Sequence, residues 1–221
     1  MKRSQINAKI KETLRLLDEY KIALPPFANF TPEEWAEKGE EYNEVRDNML
    51  GWDLTDYGGN DFDKLGLLLI TLRNGNQNNP KYTKPYAEKI LVVQEGQKTP
   101  MHFHWSKMED IINRGGGILC MQVYNSDENG NLSNTDVEIN SDGRHYTVPA
   151  GTIIRFKPGE SLSIQQGLYH SFWAEGGTCL VFEVSMVNDD KNDNRYYDKV
   201  GRFPEIEEDE NPFRLLCTEY K

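Results

Sequence analysis

No stretch of this 221-residue chain approaches the ~20 consecutive apolar residues that a membrane-crossing helix needs. The opening Met1-Lys2-Arg3-Ser4-Gln5 leads into a charged segment and lacks the apolar run of a signal peptide. Cysteine is sparse. Cys120, Cys179 and Cys217 cannot all pair within one chain, and no Cys-x-x-Cys or other zinc spacing occurs. Reduced thiols in a cytoplasmic protein are the expectation that follows. Positive charge is also short, with 25 Lys and Arg against 36 Asp and Glu and a net charge of −11. That balance argues against a nucleic-acid surface, which needs a basic patch. Aromatic residues make up 11% of the chain, too many for a disordered acidic segment. Histidine is scarce too, at four residues.

The length suits one domain, 1–221, around one core. Residues 4–21 read as a helix capped by Ser4, with Ile6, Ile10, Leu14 and Leu17 at helical spacing. Pro25-Pro26 forbids its continuation. Thr31-Pro32-Glu33-Glu34 starts a second helix on a capping box. The stretch Trp52 to Gly59 reads as a loop with aromatic anchors. From Leu65 the pattern changes to short strands punctuated by Gly, Pro and Asn: 65–72, 86–93, 101–105, 117–124, the hairpin of 137–139 and 145–148, 152–156, 161–165, 170–174 and 178–187. Helices first and many short strands afterwards predict an all-β jelly-roll barrel. The expected parts are a helical N-terminal extension (1–60) packed on the barrel, a barrel core (65–187) and a tail (188–221) that folds back on it.

His102 and His104 are two apart on one strand and so face the same side. Glu109 follows a short turn, and His170 arrives on a distant strand. Three imidazoles and a carboxylate suit a first-row divalent ion with positions left open. The fourth histidine, His145, lies beside the Ser141-Asp142-Gly143 turn and reads as a surface residue. Gly96, His102, His104, Glu109 and Gly116 fall in the spacing of the first cupin motif. Gly159, Gln165, Gly167 and His170 resemble the second, with Gln165 and Ala174 where proline and asparagine are usual.

A closer likeness runs nearly end to end. Pro25-Pro26-Phe27-Ala28, Tyr86-Ala87-Glu88-Lys89-Ile90, the run from Met101 to Gly117 and Gly167-Leu168-Tyr169-His170-Ser171-Phe172-Trp173 together resemble the bacterial D-lyxose isomerases. That resemblance implies a cupin-type barrel, a homodimer, Mn2+ (with Co2+ as another fitting ion), and interconversion of D-lyxose with D-xylulose and of D-mannose with D-fructose. The competing readings are a phosphosugar isomerase, an iron-dependent cupin dioxygenase and a non-catalytic sugar-binding cupin.

Isomerisation through an enediol needs a base that moves a proton between C1 and C2 and a group that polarises the carbonyl. The base is expected outside the metal ligands. Glu205, in an acidic tail that would cover the barrel mouth, is the first candidate. Lys89 is the second: it falls on the face opposite Ile90 and Val92, and an inward lysine needs a partner such as a sugar hydroxyl. Lys107 sits in a turn and is expected to be exposed.

Overall fold

The computed structural model describes residues 1–220; Lys221, the last residue of the expected tail, lies outside them. Helix α1 spans Arg3–Glu19 and buries Ile6, Ile10 and Leu17. Ser4 does not cap it. Instead its N–H and hydroxyl donate to Asp209, far along the chain, at 2.9 and 2.6 Å. An acidic group there also suits the positive end of the helix dipole. Short 3-10 turns at Pro26–Asn29 and Glu40–Tyr42 flank α2 (Pro32–Ala36), and α3 is Asn43–Asp47. The expected capping box on α2 is formed: Glu34 N–H donates to Thr31 Oγ1 at 3.2 Å and Thr31 N–H to Glu34 Oε2 at 2.7 Å.

Eleven strands follow among the described residues, all paired antiparallel. They are β1 Gly51–Thr55, β2 Leu67–Arg73, β3 Tyr86–Val93, β4 His102–His104, β5 Glu109–Asn125, β6 Val137–Ser141, β7 Arg144–Val148, β8 Ile153–Phe156, β9 Ser161–Ile164, β10 Leu168–Met186 and β11 Asn194–Tyr196. Their order is β1-β2-β3-β10-β5-β9-β6-β7, with β8 on β5, and with β4 on β10 and β11 on β4. This is the jelly-roll barrel with helices packed on it that the pattern predicts.

Three boundaries differ from the sequence reading. Gly51–Thr55 is a strand, not a loop, so the sheet begins inside the segment expected to be helical. Its signal is masked because Asp53 and Thr55 alternate with Trp52 and Leu54 and yet all four are buried. The segments 170–174 and 178–187 are one strand, β10, which continues through a bulge after Glu175. Gly116, opposite that bulge, adopts φ +90°, and a Cβ there would lie 1.9 Å from Thr178 O. Strand β5 starts at Glu109, eight residues earlier than the 117–124 reading.

The alternation of β2 and β3 divides two cores. Leu69, Leu91, Val93, Ile111, Met121, Phe172 and Val181 fill the barrel. Leu68, Ile70, Ile90 and Val92 point the other way and receive Ile6, Ile10 and Leu17 of α1. Each such aliphatic contributes ~1.5–3 kcal/mol relative to exposure. A 17-residue helix is marginal alone, so this packing is what holds α1.

The tail completes the clamp. Lys2 lies 3.8 Å from Glu207, Arg3 2.7 Å from Glu208, and Asn7 donates to Glu210 at 2.6 Å. Arg3 is 1% exposed and also binds Glu219. Arg3→Met strands both carboxylates beside a buried apolar group. Urea denaturation at neutral pH is expected to show a loss of about 2–3 kcal/mol, below the value for a fully buried pair because Glu208 reaches solvent. A loss under ~0.5 kcal/mol, the usual size of a surface change, would remove the clamp from the stabilising contacts.

Candidate metal centre and its ion-pair network

β10 is the spine of the site. It places His170 opposite His102 of β4 and Glu183 opposite Lys89 of β3. His102 and His104 turn to one side of β4. Phe103, between them, packs away against Trp105 and Tyr169 at 4.6 and 4.8 Å between ring centroids. The result is a group of three histidines whose donor atoms all lie within 4.8 Å of one another.

The rings are oriented by the backbone. His102 Nδ1 lies 2.9 Å from Pro100 O, and His170 Nδ1 3.0 Å from Leu168 O. A carbonyl can only accept, so each Nδ1 carries a proton, and each Nε2 is the nitrogen left to face the cluster. Burial, then His170 and His104, holds the pKa of His102 well below the usual value. Burial, then Lys107, lowers that of His104. Neutral imidazole is the form that binds metal.

Glu109 adjoins two of the three rings. Its Oε1 is 3.3 Å from His104 Nε2 and 3.2 Å from His170 Nε2. These separations are close to the edge of about 3 Å expected between donors at right angles about an ion with ~2.1 Å bonds. His170 Nε2 is buried without a hydrogen-bond partner. An orphaned ring nitrogen inside a histidine cluster is a group that a cation would satisfy. The residues present therefore fit a divalent metal.

Behind this cluster lies a buried network of charge. Lys107 Nζ is 2.6 Å from Glu109 Oε2 and 2.9 Å from Glu183 Oε1. Lys89 Nζ is 3.1 Å from Glu183 Oε1 and 2.7 Å from Asn188 Oδ1. Burial alone would raise the pKa of Glu183, but Lys107 and Lys89 outweigh it and hold it below the usual carboxylate range. Burial would likewise lower Lys107, yet Glu109 and Glu183 carry its pKa well above the ordinary lysine value. Further along, Arg202 Nη2 is 2.6 Å from Asp53 and 3.0 Å from Asp190. Tyr196 stacks near His102 at 5.6 Å and meets Tyr57 edge-on at 5.9 Å. Burial raises both phenols, Tyr196 to about 12, so both stay protonated at neutral pH. Apart from Asp53, these residues line a cavity of about 40 Å³.

The structure thus brings His102, His104, Glu109, His170 and Lys89 together, and it leaves Glu205 out. Glu205 is exposed and borders a separate cavity beside Met1, where its backbone oxygen accepts from the N-terminal amine at 2.7 Å. Arg202, three residues earlier, is the residue of that segment that reaches the site. His145 is exposed, as expected. Lys107 is not: it is 3% exposed, because the turn after β4 points its side chain inward onto two carboxylates. Glu183 escaped the sequence reading although its signal exists. It alternates with Val181 and Cys179 on the interior face of an apolar strand. Asp53, Asp190 and Arg202 carry no comparable local signal.

The likeness to known proteins extends over the whole chain. The family model described as D-lyxose isomerase matches residues 1–220. A D-lyxose/D-mannose isomerase of Serratia proteamaculans is 48% identical, covering 100% of this chain and 98% of its own length. One from Escherichia coli O157:H7 is 46% identical, covering 100% and 99%. Among solved structures, the L-ribose isomerase of Cellulomonas parahominis with L-psicose superposes with a TM-score of 0.62 at 13% identity, over 94% of this chain and 98% of that one. The L-ribose isomerase of an Acinetobacter species, as a mutant with L-ribose, gives 0.62 at 12% identity over 94% and 98%. At such identities the structural likeness speaks for the fold.

Arg202 is the cation on which Asp53 and Asp190 both depend. Burial raises the Asp190 pKa, but Arg202, followed by Lys89 and Lys107, pulls it far below the normal carboxylate value. A depressed folded pKa contributes stability above the unfolded value, lost as pH falls through the folded one. Arg202→Met is therefore expected to cost about 3 kcal/mol at pH ~7, with the gap from the parent narrowing below pH ~4. Urea midpoints at the two pH values check this, and a gap independent of pH would assign the loss to packing.

Proposed function

Because the chain belongs to the D-lyxose isomerase family, we propose that it converts D-lyxose to D-xylulose and D-mannose to D-fructose, with a proton moved between C2 and C1. Family membership makes it an aldose–ketose isomerase; the sugars, the ion and the residue roles are the proposal. His102, His104, His170 and Glu109 would hold the ion, which we assign as Mn2+, with Co2+ also suited to imidazole and carboxylate donors. A bound divalent ion would supply Lewis acidity that polarises the sugar carbonyl.

One observation carries the assignment of the base. Glu183 is a buried carboxylate outside the histidine group, ionised at neutral pH, and flanked by two lysines. It takes the proton from C2 and returns it to C1, while the O2 proton passes to O1. Lys107 and Lys89 orient it and stand ready to donate to oxygen as negative charge develops. Tyr57 and Tyr196, protonated and packed at the cavity, exclude water from the intermediate. Glu205 has no part in these steps.

The other readings are less well supported. A phosphosugar requires unmatched positive charge, but Lys89, Lys107 and Arg202 are each paired with a carboxylate. The cytoplasmic location belongs to the same proposal, supported by three free, buried thiols. So does the homodimer. Tyr86, Met108, Val184 and Met186 are exposed together where β3, β5 and β10 meet, with Met186 opposite Tyr86 and hydrogen-bonded to Met108 O at 3.0 Å. Val184→Asp on that face is expected to shift sedimentation from dimer to monomer, and an unchanged dimer would move the interface elsewhere.

Stripped protein given Mn2+ under argon is expected to form the matching ketose from each sugar. A requirement for oxygen would favour the dioxygenase, and metal binding without ketose would favour the binding module. His104→Ala is expected to lose metal by elemental analysis together with activity. Glu183→Gln is expected to keep the metal and lose about 10²–10⁴ in kcat. Glu205→Gln is expected to turn over normally, and the reverse pattern would return the base to the tail.

A further inference from the structure

A free pentose has about ten non-hydrogen atoms, whereas the metal-side cavity of about 40 Å³ has room for roughly three waters. A whole sugar therefore reaches beyond this space. A second chamber, of about 170 Å³, lies against it. Its lining is mainly amide and carboxylate, including Asn48, Asn74, Asn76, Gln77 and Asp189, with Lys191 as its one cation. Two residues, Asn188 and Asp190, border both spaces.

Asn188 is held in an unusual way. Its main chain pairs with one side chain: Asn188 N–H donates to Asn74 Oδ1 at 3.0 Å, and Asn74 Nδ2 donates to Asn188 O at 3.0 Å. Asn74 is itself buried and receives Asn48 Nδ2 on its backbone oxygen at 3.1 Å. The Asn188 carboxamide, by contrast, points inward. Its Oδ1 accepts from Lys89 at 2.7 Å and from Lys107 at 3.4 Å, and its Nδ2 donates to Asp190 at 2.9 Å. A fixed main chain therefore carries a side chain whose contacts are a hydroxyl's contacts: it accepts from ammonium groups and donates to a carboxylate.

We infer that the asparagine-lined chamber is the outer half of the sugar site and that the Asn188 carboxamide is a plug that sugar hydroxyls displace from Lys89 and Lys107. This rests on the isomerase reading above. When the carboxamide swings away, no charge is stranded. Lys89 keeps Glu183, Lys107 keeps Glu109 and Glu183, and Asp190 keeps Arg202. The two spaces then join. The reacting end of the sugar lies at the histidines, and the far hydroxyls lie among amides that both donate and accept. Neutral polyols suit such a lining better than anions.

Two arms test this. The first is calorimetry of D-arabinitol, the alditol of D-lyxose, with Mn2+-loaded protein. Asn188→Ala keeps the main-chain pair with Asn74 and removes only the plug. The binding-competent fraction rises, so the alditol is expected to bind about fivefold more tightly. Weaker binding would make Asn188 a direct sugar contact and overturn the plug, and no alditol binding to either protein would overturn the outer site.

The second arm blocks the chamber. The native cysteines are all buried, so Gln77→Cys at the chamber presents a selectively reactive thiol. Methanethiosulfonate reagents of increasing size are expected to weaken alditol binding, and to lower kcat/KM, by about tenfold at the largest. Metal content and melting temperature are expected to stay unchanged. The same labels on Thr147→Cys, on β7 at the far edge of the sheet, are expected to change neither. Unaltered binding with the largest label at Gln77 would show that sugar does not use the chamber. Failure of the isomerase reading is seen separately, as no ketose from unlabelled protein, and leaves the alditol measurement valid.

Discussion

The contact on which the rest of the structure depends is the cross-strand pair of Lys89 and Glu183, extended through Lys107 to Glu109. Removing one partner of a buried ion pair costs roughly 3–5 kcal/mol, because the other is left as an unpaired charge in a dry interior. These four side chains therefore stabilise the barrel only as a set. They also fix Glu109 against His104 and His170. By formal charge, the three cations Lys89, Lys107 and Arg202 face the four carboxylates Glu109, Glu183, Asp53 and Asp190, a balance of −1. A slightly negative interior that holds three imidazoles is an environment that favours a divalent cation.

That arrangement is affordable only inside a well-insulated barrel, and both ends of the chain supply the insulation. β2 and β3 are apolar on both faces because one face fills the barrel and the other receives α1. The tail then does two jobs in one pass. Residues 194–202 roof the site, with Asn194 and Tyr196 paired to His104 and His102 in β-register. Residues 207–210 hold the start of α1 through Lys2, Arg3, Ser4 and Asn7. The acidic run that looked like a catalytic lid is a helix clamp, and the roof comes from the residues before it.

How much of this was legible follows from the range of the interactions. His102 and His104 were legible because period two is a local rule, and Lys89 because it alternates against Ile90 and Val92. Glu183 obeys the same rule on β10, and was overlooked in favour of a carboxylate in the tail. Lys107 was misjudged because turn lysines normally reach water, and only the two carboxylates opposite it draw it inward. β1 was hidden by a buried aspartate whose partner, Arg202, lies 149 positions away. β11 is three residues long and exists by pairing with the histidine strand, which no local pattern encodes. The fold and the His102/His104 pair live in short-range periodicity; the roof and the second rank of charge live in contacts between distant segments.

The same range argument bears on substrate class. An inner site whose three cations, Lys89, Lys107 and Arg202, each already have a carboxylate gains little Coulomb energy from an anionic ligand, which would have to displace an existing partner and leave that carboxylate buried. A neutral polyol faces no such penalty. Its hydroxyls accept from Lys89 and Lys107 and donate to Asp190, as the Asn188 carboxamide does, so exchange of one for the other conserves the hydrogen-bond count. Closure around such a ligand would also keep water from Glu183, the proposed base, which sits between two lysines where stray protons would be delivered most readily. Charge balance, not pocket size, is therefore the feature of this interior that would favour a neutral polyol over an anion.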